Sequence, residues 1–291
     1  MTVELPARNA VLSVVKAALV EDVGAGDVTS ERFIPAGAQA AGSLVAGERL
    51  TVCGLPVAEM VFRQLDPKCR VRACAREGDE ARRGDIIARV SGRARALLSG
   101  ERTALNFVQR LSGIATLTGK FVKKVKGTGA RIYDTRKTAP GLRALEKYAV
   151  RAGAGCNHRA GLHDHVLLKD NHIAFLNARG KDAFKLLAEE AGADRGPVEV
   201  EVSTVKDALR ALAAGVDVIM LDNMELADMK EAVRAVRAQA ARRGTRPPQL
   251  EASGGVTLET ARAVAHTGVD RISVGALTHS ARAADISFEL S

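Results

Sequence analysis

Regular alternation between short apolar runs and helical patterns, from residue 130 to residue 276, limits what this chain can fold into more than any other feature. Parallel neighbouring strands need a long crossover connection, and a helix supplies it. The alternation therefore predicts an α/β fold with a parallel sheet, either open or closed into a barrel. The predicted strands are 130–133, 166–168, 198–202, 218–221, 250–252 and 272–274.

Charged side chains follow the ends of several of these runs. The segment 134–138 (Asp-Thr-Arg-Lys-Thr) follows the first run, Lys169 follows the second and Asp222 follows the fourth. In a parallel barrel the carboxyl ends of all strands open onto one face, and that face carries the chemistry. The sequence therefore predicts one mouth at which arginine, lysine and carboxylate side chains gather.

The run 198–202 alternates valine with Glu199 and Glu201. Period two places both carboxylates on the same side of a strand. Buried like charges are costly unless a cation or a ligand compensates them. An edge strand with one solvated face is the alternative, but a barrel has no edge, so we expect both carboxylates to face the lumen and its basic groups.

Two glycine turns follow the last two runs, at 253–255 (Ser-Gly-Gly) and 274–276 (Val-Gly-Ala), and a helix is predicted over 258–265. Glycine lets backbone amides approach a ligand closely, and a helix N-terminus favours an anion. Because phosphates bind after the last strands in many barrels, this position predicts a phosphate site. A pair of tight strand-to-helix turns without a ligand is the alternative.

Two further motifs have more than one interpretation. Lys169 could pair with a charged substrate, or it could form a Schiff base as barrel aldolases do. His163 and His165 resemble the His-x-His pair of a barrel metal site, but they precede the apolar run instead of following it. We therefore expect them on the wrong face for chemistry.

The charge balance indicates an anionic partner. Lysine and arginine total 43 against 34 acidic residues, a net charge of +9. Nucleic acid is one candidate partner, but with 7 Phe, 2 Tyr and no Trp the chain has few platforms on which bases could stack. Small phosphorylated or carboxylated molecules fit better.

The cellular setting follows from the cysteines and from the apolar runs. The four cysteines form no C-x-x-C pair and no zinc pattern, which is typical of thiols in a reducing cytoplasm. No apolar run is long enough to cross a bilayer, and the first residues lack the layout of a secretory signal.

Several motifs together resemble one enzyme family, quinolinate phosphoribosyltransferase, also called nicotinate-nucleotide pyrophosphorylase (carboxylating). The resemblance covers nearly the whole chain. Its motifs are EDVG at 21–24, GDVT at 26–29, GERTALN at 100–106, DTRKTAPGL at 134–142, EKY at 146–148, NHR at 157–159, LKDNH at 168–172, VEVEV at 198–202, LDN at 221–223 and EASGG at 251–255.

The resemblance implies an N-terminal α/β sandwich over 1–114, against which the tail 277–291 packs, and a C-terminal incomplete α/β barrel over 115–276. It implies homodimers in which each sandwich covers the partner's barrel, with a hexamer as a further option. It also implies a magnesium-dependent reaction of quinolinate with phosphoribosyl pyrophosphate, giving nicotinate mononucleotide, pyrophosphate and carbon dioxide. No nucleic-acid or membrane partner is expected.

The resemblance also assigns roles to individual residues. Lys137, Glu201 and Asp222 match catalytic positions, and the two carboxylates are also the candidate magnesium ligands. Arg102 would come from the neighbouring subunit. The full substrate-binding set that the resemblance implies is Arg102, Thr135, Arg136, Lys137, His158, Arg159, Lys169, Glu201, Asp222, Ser253, Gly254, Gly255, Val274, Gly275 and Ala276.

Three other functions stay open on the sequence. The first is a paralogue of the same fold that is linked to molybdenum transport, or a transferase acting on a different acid. The second is a Schiff-base aldolase that uses Lys169. The third is a non-catalytic binder of nucleic acid or of anionic surfaces.

Overall fold

A computed structural model describes residues 3–189 and 196–291 of the chain. In chain order the elements are α1 Arg8–Val23, α2 Val28–Phe33, β1 Gln39–Ala46, β2 Leu50–Thr51, α3 Leu55–Leu65, β3 Arg70–Ala73, β4 Glu80–Ala81, β5 Ile86–Arg93, α4 Ala94–Val125, β6 Arg131–Tyr133, α5 Arg143–Ala152, β7 Val166–Leu168, α6 Asp170–Asn177, α7 Ala183–Glu189, β8 Val198–Val202, α8 Val205–Ala213, β9 Val218–Asp222, α9 Leu226–Arg243, β10 Gln249–Ser253, α10 Ala261–Ala265, β11 Arg271–Ser273, α11 Ala276–His279 and β12 Ile286–Leu290.

The chain divides into two compact units. The first comprises Met1–Gly119, Lys137–Gly155 and Ala276–Ser291, and the second comprises Lys120–Arg136 and Cys156–Gly275. The segment Lys137–Gly155, which contains α5, thus groups with the first unit, although the resemblance placed it in the barrel domain. The divide near residue 119 falls inside α4, which is one continuous helix.

An antiparallel sheet organises the first unit, with strand order β12-β1-β5-β3. The C-terminal strand β12 pairs with β1, with Gly42 opposite Leu290 and Ala46 opposite Ile286. The tail is therefore part of this sheet. The helix α3 begins at a left-handed Gly54, and the carboxylate of Glu77 accepts hydrogen bonds from the amides of Gly54 and Leu55. These bonds satisfy two of the amides that a helix N-terminus leaves without partners.

A parallel sheet organises the second unit, with strand order β6-β11-β10-β9-β8-β7 within residues 120–136, 156–189 and 196–275. Strands β7 to β11 lie side by side in chain order, and β11 lies beside β6. The order is therefore that of a closed ring from which the β6–β7 pairing is missing. This is the incomplete α/β barrel that was expected. The predicted strands are confirmed, and no strand end differs from its predicted position by more than one residue.

The chain segment after α5 runs along the open edge of β6. Cys156 forms a parallel bridge to Tyr133, and its amide donates to the carbonyl of Ile132 at 2.8 Å. Its carbonyl accepts from the amide of Asp134 at 3.1 Å. The carboxylate of Asp134 then accepts from the amide of His158 at 2.8 Å. Local hydrogen bonds thus place His158 beside the end of β6.

Aspartates that precede two of the strands tie neighbouring strands together. Asp217 accepts from the amide of Val198 at 2.8 Å, and Asp270 accepts from the amide of Leu250 at 2.8 Å. Each bond fixes the register between a helix-to-strand joint and the strand beside it. Register matters here because a one-residue slip would turn Glu199 and Glu201 away from the concave face. No helix among the described residues is long and apolar enough to span a membrane.

Candidate active site

The carboxyl ends of the parallel strands form one polar edge of the second unit. Since all six strands of this unit run in the same direction, the prediction that Arg136, Lys169 and Gly254 open on one edge is confirmed. Arg102, Lys137 and Ala276 belong to the first unit. The predicted residues at or beyond this edge are Thr135, Arg136, His158, Arg159, Lys169, Glu201, Asp222, Ser253, Gly254, Gly255, Val274 and Gly275.

Two arginines lie close together near the end of β6. Arg159 is 9% exposed, and its Nη1 donates to the carbonyl of His165 at 3.3 Å. Burial lowers the pKa of Arg159, and the positive charge of Arg136 lowers it further. The buried Nε of Arg136 has no hydrogen-bond partner among the described residues. Two neighbouring cations with spare donors form a natural site for an anion, and a planar carboxylate suits the guanidinium fork.

Lysine and carboxylate groups meet at the ends of β7, β8 and β9. Lys169 Nζ lies 3.4 Å from Glu201 Oε2. Burial raises the pKa of Glu201, Lys169 opposes the shift and the negative charge of Asp222 adds to it. The side chain of Lys169 is 46% exposed and paired with a carboxylate. This is the opposite of the desolvated setting that a Schiff-base lysine needs, so the geometry disfavours an aldolase.

Replacing Lys169 with methionine is expected to raise the pKa of Glu201 further. The variant keeps most of the side-chain volume but removes the positive charge that favours the ionised carboxylate. The titration of the Glu201 carboxyl carbon, followed by NMR, should move to higher pH. Lys185→Met is the control, because Lys185 pairs with the exposed Glu189 at 4.0 Å. An unchanged Glu201 titration in Lys169→Met would contradict the pairing.

Two fully buried carboxylates and two histidines fill the concave side of the sheet. His158 Nε2 lies 3.1 Å from Glu199 Oε2 and 3.4 Å from Glu251 Oε1. His165 Nε2 lies 3.4 Å from Glu199 Oε2, and Ser273 Oγ donates to Glu251 Oε1 at 2.5 Å. Because β8 and β10 are separated by β9 and still reach the same imidazole, both carboxylates face inward. The lumen prediction for Glu199 is confirmed.

His165 precedes β7, as the sequence indicated, and its side chain faces the interior of the barrel. Its ring stacks on that of His158 with centroids 5.8 Å apart, and it contacts Glu199 inside the barrel. Glu251 was missed as a member of this cluster. A signal for it existed, because Glu251 and Ser253 alternate in β10 as Glu199 and Glu201 do in β8.

His158 shows which way the cluster is protonated. Burial alone would lower its pKa, but hydrogen bonds and negative charge from Glu199 and Glu251 outweigh burial and raise the pKa to about 9. The amide of Arg159 donates to Nδ1 at 2.8 Å and opposes that rise, because it needs an unprotonated nitrogen. The proton on Nε2 therefore faces the two carboxylates.

The same three side chains can also be compared with a metal centre. His158, Glu199 and Glu251 bring three ligand atoms within 4.8 Å of one another, which is close enough for an ion. Metal-binding histidines usually donate their second N–H to an acceptor, whereas Nδ1 of His158 accepts one. The contact at Nδ1 is therefore unlike that of a typical metal ligand, while both oxygens of Glu199 and Oε2 of Glu251 are buried without a hydrogen-bond partner among the described residues.

The glycine turn after β10 differs from the expectation in one respect. Gly254 and Gly255 are exposed and adopt left-handed φ values of +100° and +60°. The helix expected from residue 258 begins only at Ala261, since the amide of Thr257 donates to Thr260 Oγ1 at 2.9 Å and forms a turn first. With only five residues, α10 adds little dipole, so of the two donors that the sequence suggested for a phosphate, only the backbone amides of the turn are left.

Comparison with known proteins gives a consistent result. Family models for the quinolinate phosphoribosyl transferase N-terminal and C-terminal domains match residues 27–112 and 114–289. Nicotinate-nucleotide pyrophosphorylase [carboxylating] of Mycobacterium leprae is 44% identical over 97% of this chain and 98% of its own length. A probable enzyme of the same name from Bacillus subtilis is 42% identical over 93% of this chain and 90% of its own length.

Solved structures agree with this. NadC from Streptococcus pyogenes superposes with a TM-score of 0.89 at 38% identity, covering 98% of both chains. Nicotinate-nucleotide pyrophosphorylase from Francisella tularensis superposes with a TM-score of 0.90 at 34% identity, covering 100% of this chain and 99% of its own. The chain belongs to the quinolinate phosphoribosyltransferase family.

Proposed function

We propose that this chain transfers the phosphoribosyl group of phosphoribosyl pyrophosphate to quinolinate and removes one carboxylate, yielding nicotinate mononucleotide, pyrophosphate and carbon dioxide. The pair formed by Arg136 and Arg159 is the observation that carries the proposal. Two neighbouring guanidinium groups repel each other, and an anionic ligand removes that repulsion. Membership of the family supports the same reaction, and so does the acidic pair Glu201 and Asp222 beside Lys169.

The ligand charges match the side chains. Quinolinate carries two carboxylates, which Arg136 and Arg159 can bind through two-pronged hydrogen bonds, with Thr135, His158 and Lys169 beside them. The phosphoribosyl ligand carries a phosphate, which suits the turns at 253–255 and 274–276. Its ribose hydroxyls suit the carboxylates of Glu201 and Asp222.

The chemistry then follows from where charge develops. The quinolinate nitrogen forms a bond to the ribose anomeric carbon, while the bond from that carbon to the pyrophosphate oxygen breaks and its electron pair leaves with pyrophosphate. Positive character on the sugar is stabilised by Glu201 and Asp222. The carbon–carbon bond to one carboxylate then breaks, carbon dioxide leaves, and the pyridinium nitrogen stabilises the remaining electron pair until the carbon takes a proton.

Glu201 and Asp222 also fit a magnesium ion. Their oxygens are hard ligands on adjacent strands, and mutual repulsion of the two carboxylates contributes to the raised pKa of Glu201. When bound together with pyrophosphate, magnesium would neutralise charge on the leaving group. We include Mg²⁺ in the proposal as the cofactor. The free cysteines Cys53, Cys69, Cys74 and Cys156 suit a reducing cytoplasm as the setting.

A direct assay tests the function. Purified protein is mixed with quinolinate, phosphoribosyl pyrophosphate and MgCl₂, and carbon dioxide and pyrophosphate are both measured. Equal amounts of the two products are expected, and omission of quinolinate should abolish both. Pyrophosphate release with nicotinate but not with quinolinate would favour a transferase for a different acid. Absence of both products would refute the proposal.

Shared sites between subunits form a separate prediction. If Arg102 completes the neighbour's site, Arg102→Ala and Lys137→Ala should each be inactive but complement each other. After unfolding and refolding of an equal mixture, half of the dimers contain both variants, and each has one site with both residues intact. We expect about one quarter of wild-type activity. A mixture as inactive as its parents would show that both residues serve the same subunit's site.

A further inference from the structure

Asn223 follows Asp222 at the end of β9 and adopts an unusual backbone conformation. Its φ is +51°, in the left-handed region that most residues with a β-carbon avoid and that asparagine tolerates better than most. Among the described residues other than glycine, it shares a positive φ only with Ala154. Strained residues of this kind persist where the surroundings hold them, and they cluster at functional sites. Three contacts show what holds Asn223.

The first contact is with the acidic pair. Asn223 Nδ2 donates to Asp222 Oδ2 at 2.6 Å. Because a carboxylate only accepts hydrogen bonds, this contact settles which end of the amide faces Asp222. It also fixes the direction of the carboxylate that the proposed function assigns to the ribose.

The other two contacts are with the glycine turn after β10. The amide of Asn223 donates to the carbonyl of Ser253 at 2.9 Å. A β-carbon placed on Gly254 would lie 2.6 Å from Asn223 Cγ and 3.1 Å from the backbone nitrogen of Asn223. It would lie closer still to Asn223 Oδ1. Asn223 therefore occupies the space between Asp222 and the turn at 253–255, and Gly254 has to be glycine for it to fit.

We propose that Asn223 is a positioning residue that sets the distance between the Asp222 carboxylate and the turn at 253–255, so that one ligand's ribose hydroxyls and phosphate meet both. The inference rests on the proposed function, because it assigns Asp222 and the turn to a phosphoribosyl ligand. A phosphoribosyl group has a fixed spacing between its hydroxyls and its phosphate. The protein must match that spacing with groups from two strands, and Asn223 joins those strands.

Asn223→Gly separates the role of the side chain from backbone strain. Glycine accepts the left-handed φ at no cost, so the melting temperature should stay within a few degrees of wild type. The variant loses the hydrogen bond to a charged partner, so we expect the Kd for phosphoribosyl pyrophosphate with MgCl₂, measured by calorimetry, to rise about 10- to 100-fold. The Kd for quinolinate should change less than about twofold, because the arginine pair is untouched. Asn177→Gly, at the exposed end of α6, is the matched control.

A second variant pair tests the fit with Gly254. Gly254→Ala should weaken phosphoribosyl pyrophosphate binding strongly, because its methyl group collides with Asn223. The same substitution in the Asn223→Gly background should cost less, because the space has been vacated. Equal costs in both backgrounds would overturn the proposed packing.

The outcomes separate this inference from the proposed function. If wild-type protein does not bind phosphoribosyl pyrophosphate, the proposed function fails. If wild type binds it and Asn223→Gly binds it equally well, the positioning role fails and the function stands. Equal weakening of both substrates, or a large drop in melting temperature, would assign Asn223 a merely structural role. In that case Asn223→Asp, which keeps the side-chain size and the turn preference of asparagine, serves as a second test. We expect this variant to lose phosphoribosyl pyrophosphate binding selectively. Equal loss of binding for both substrates would confirm the structural role.

Discussion

Replacing Arg159 with alanine is expected to lower kcat/KM for quinolinate about 100- to 1000-fold. In the wild-type protein, the proposed function has the buried guanidinium bind a quinolinate carboxylate in a site shielded from water. A two-pronged ion pair contributes strongly in such a site. Folding should suffer much less. Arg159 is repelled by Arg136, and its hydrogen bond to the carbonyl of His165 is 3.3 Å long. Steady-state kinetics and a thermal melt check the two parts.

Arg159→Lys adds a finer test, since it keeps the charge but loses the planar fork. Activity between that of wild type and that of Arg159→Ala is expected. Arg237→Ala is the matched control in the same unit, because Arg237 is exposed and pairs with Asp270 at 3.1 Å. It should change kcat/KM less than about twofold. Near-normal quinolinate kinetics in Arg159→Ala would remove the arginine pair from the proposed mechanism.

Glu199→Ala is expected to lower the free energy of unfolding by about 3–5 kcal/mol. Glu199 is fully buried and is the shared carboxylate partner of His158 and His165. Its loss takes from His165 the carboxylate that it contacts, leaves His158 with Glu251 alone, and opens a cavity among the strands. The loop that carries Arg159 should loosen as well, so catalysis should fall with stability. Urea unfolding followed by circular dichroism measures the first effect.

Two variants bracket this result. Glu199→Gln keeps the shape and offers an amide to the histidines, so its destabilisation should be smaller than that of Glu199→Ala. Glu189→Ala removes an exposed carboxylate whose lysine partner is 4.0 Å away, and should change stability by no more than about 0.5 kcal/mol. If Glu199→Ala unfolds at the wild-type urea concentration, the cluster does not hold the barrel together.

Much of the fold was predictable because its signals are local. Apolar runs such as 198–202 and 218–221 mark buried parallel strands, and charged residues directly after them mark the edge at which the strands end. The valine–glutamate alternation of β8 predicted the correct face for Glu199. The glycine turns were located in the same way, although the helix after 253–255 starts later than its pattern indicated.

Other features depend on residues that are distant in sequence. The helix α4 contains no proline and continues through Gly113, so helix propensity could not mark the boundary between units. Lys137–Gly155 follows a barrel strand but packs in the first unit. His165 precedes its strand, and only its contact with Glu199 showed that it faces inward.

By itself, the sequence determined the order of strands and helices, the family, and the supply of arginines, carboxylates and glycine turns, because hydrophobic periodicity and motif spacing are properties of neighbouring residues. Tertiary structure alone decided which of those groups meet. The buried cluster joins β8, β10 and the segment after Cys156, and Asn223 joins the ends of β9 and β10. Such contacts arise when a curved parallel sheet brings side chains from separate strands into one space. No local sequence pattern encodes how close those side chains come.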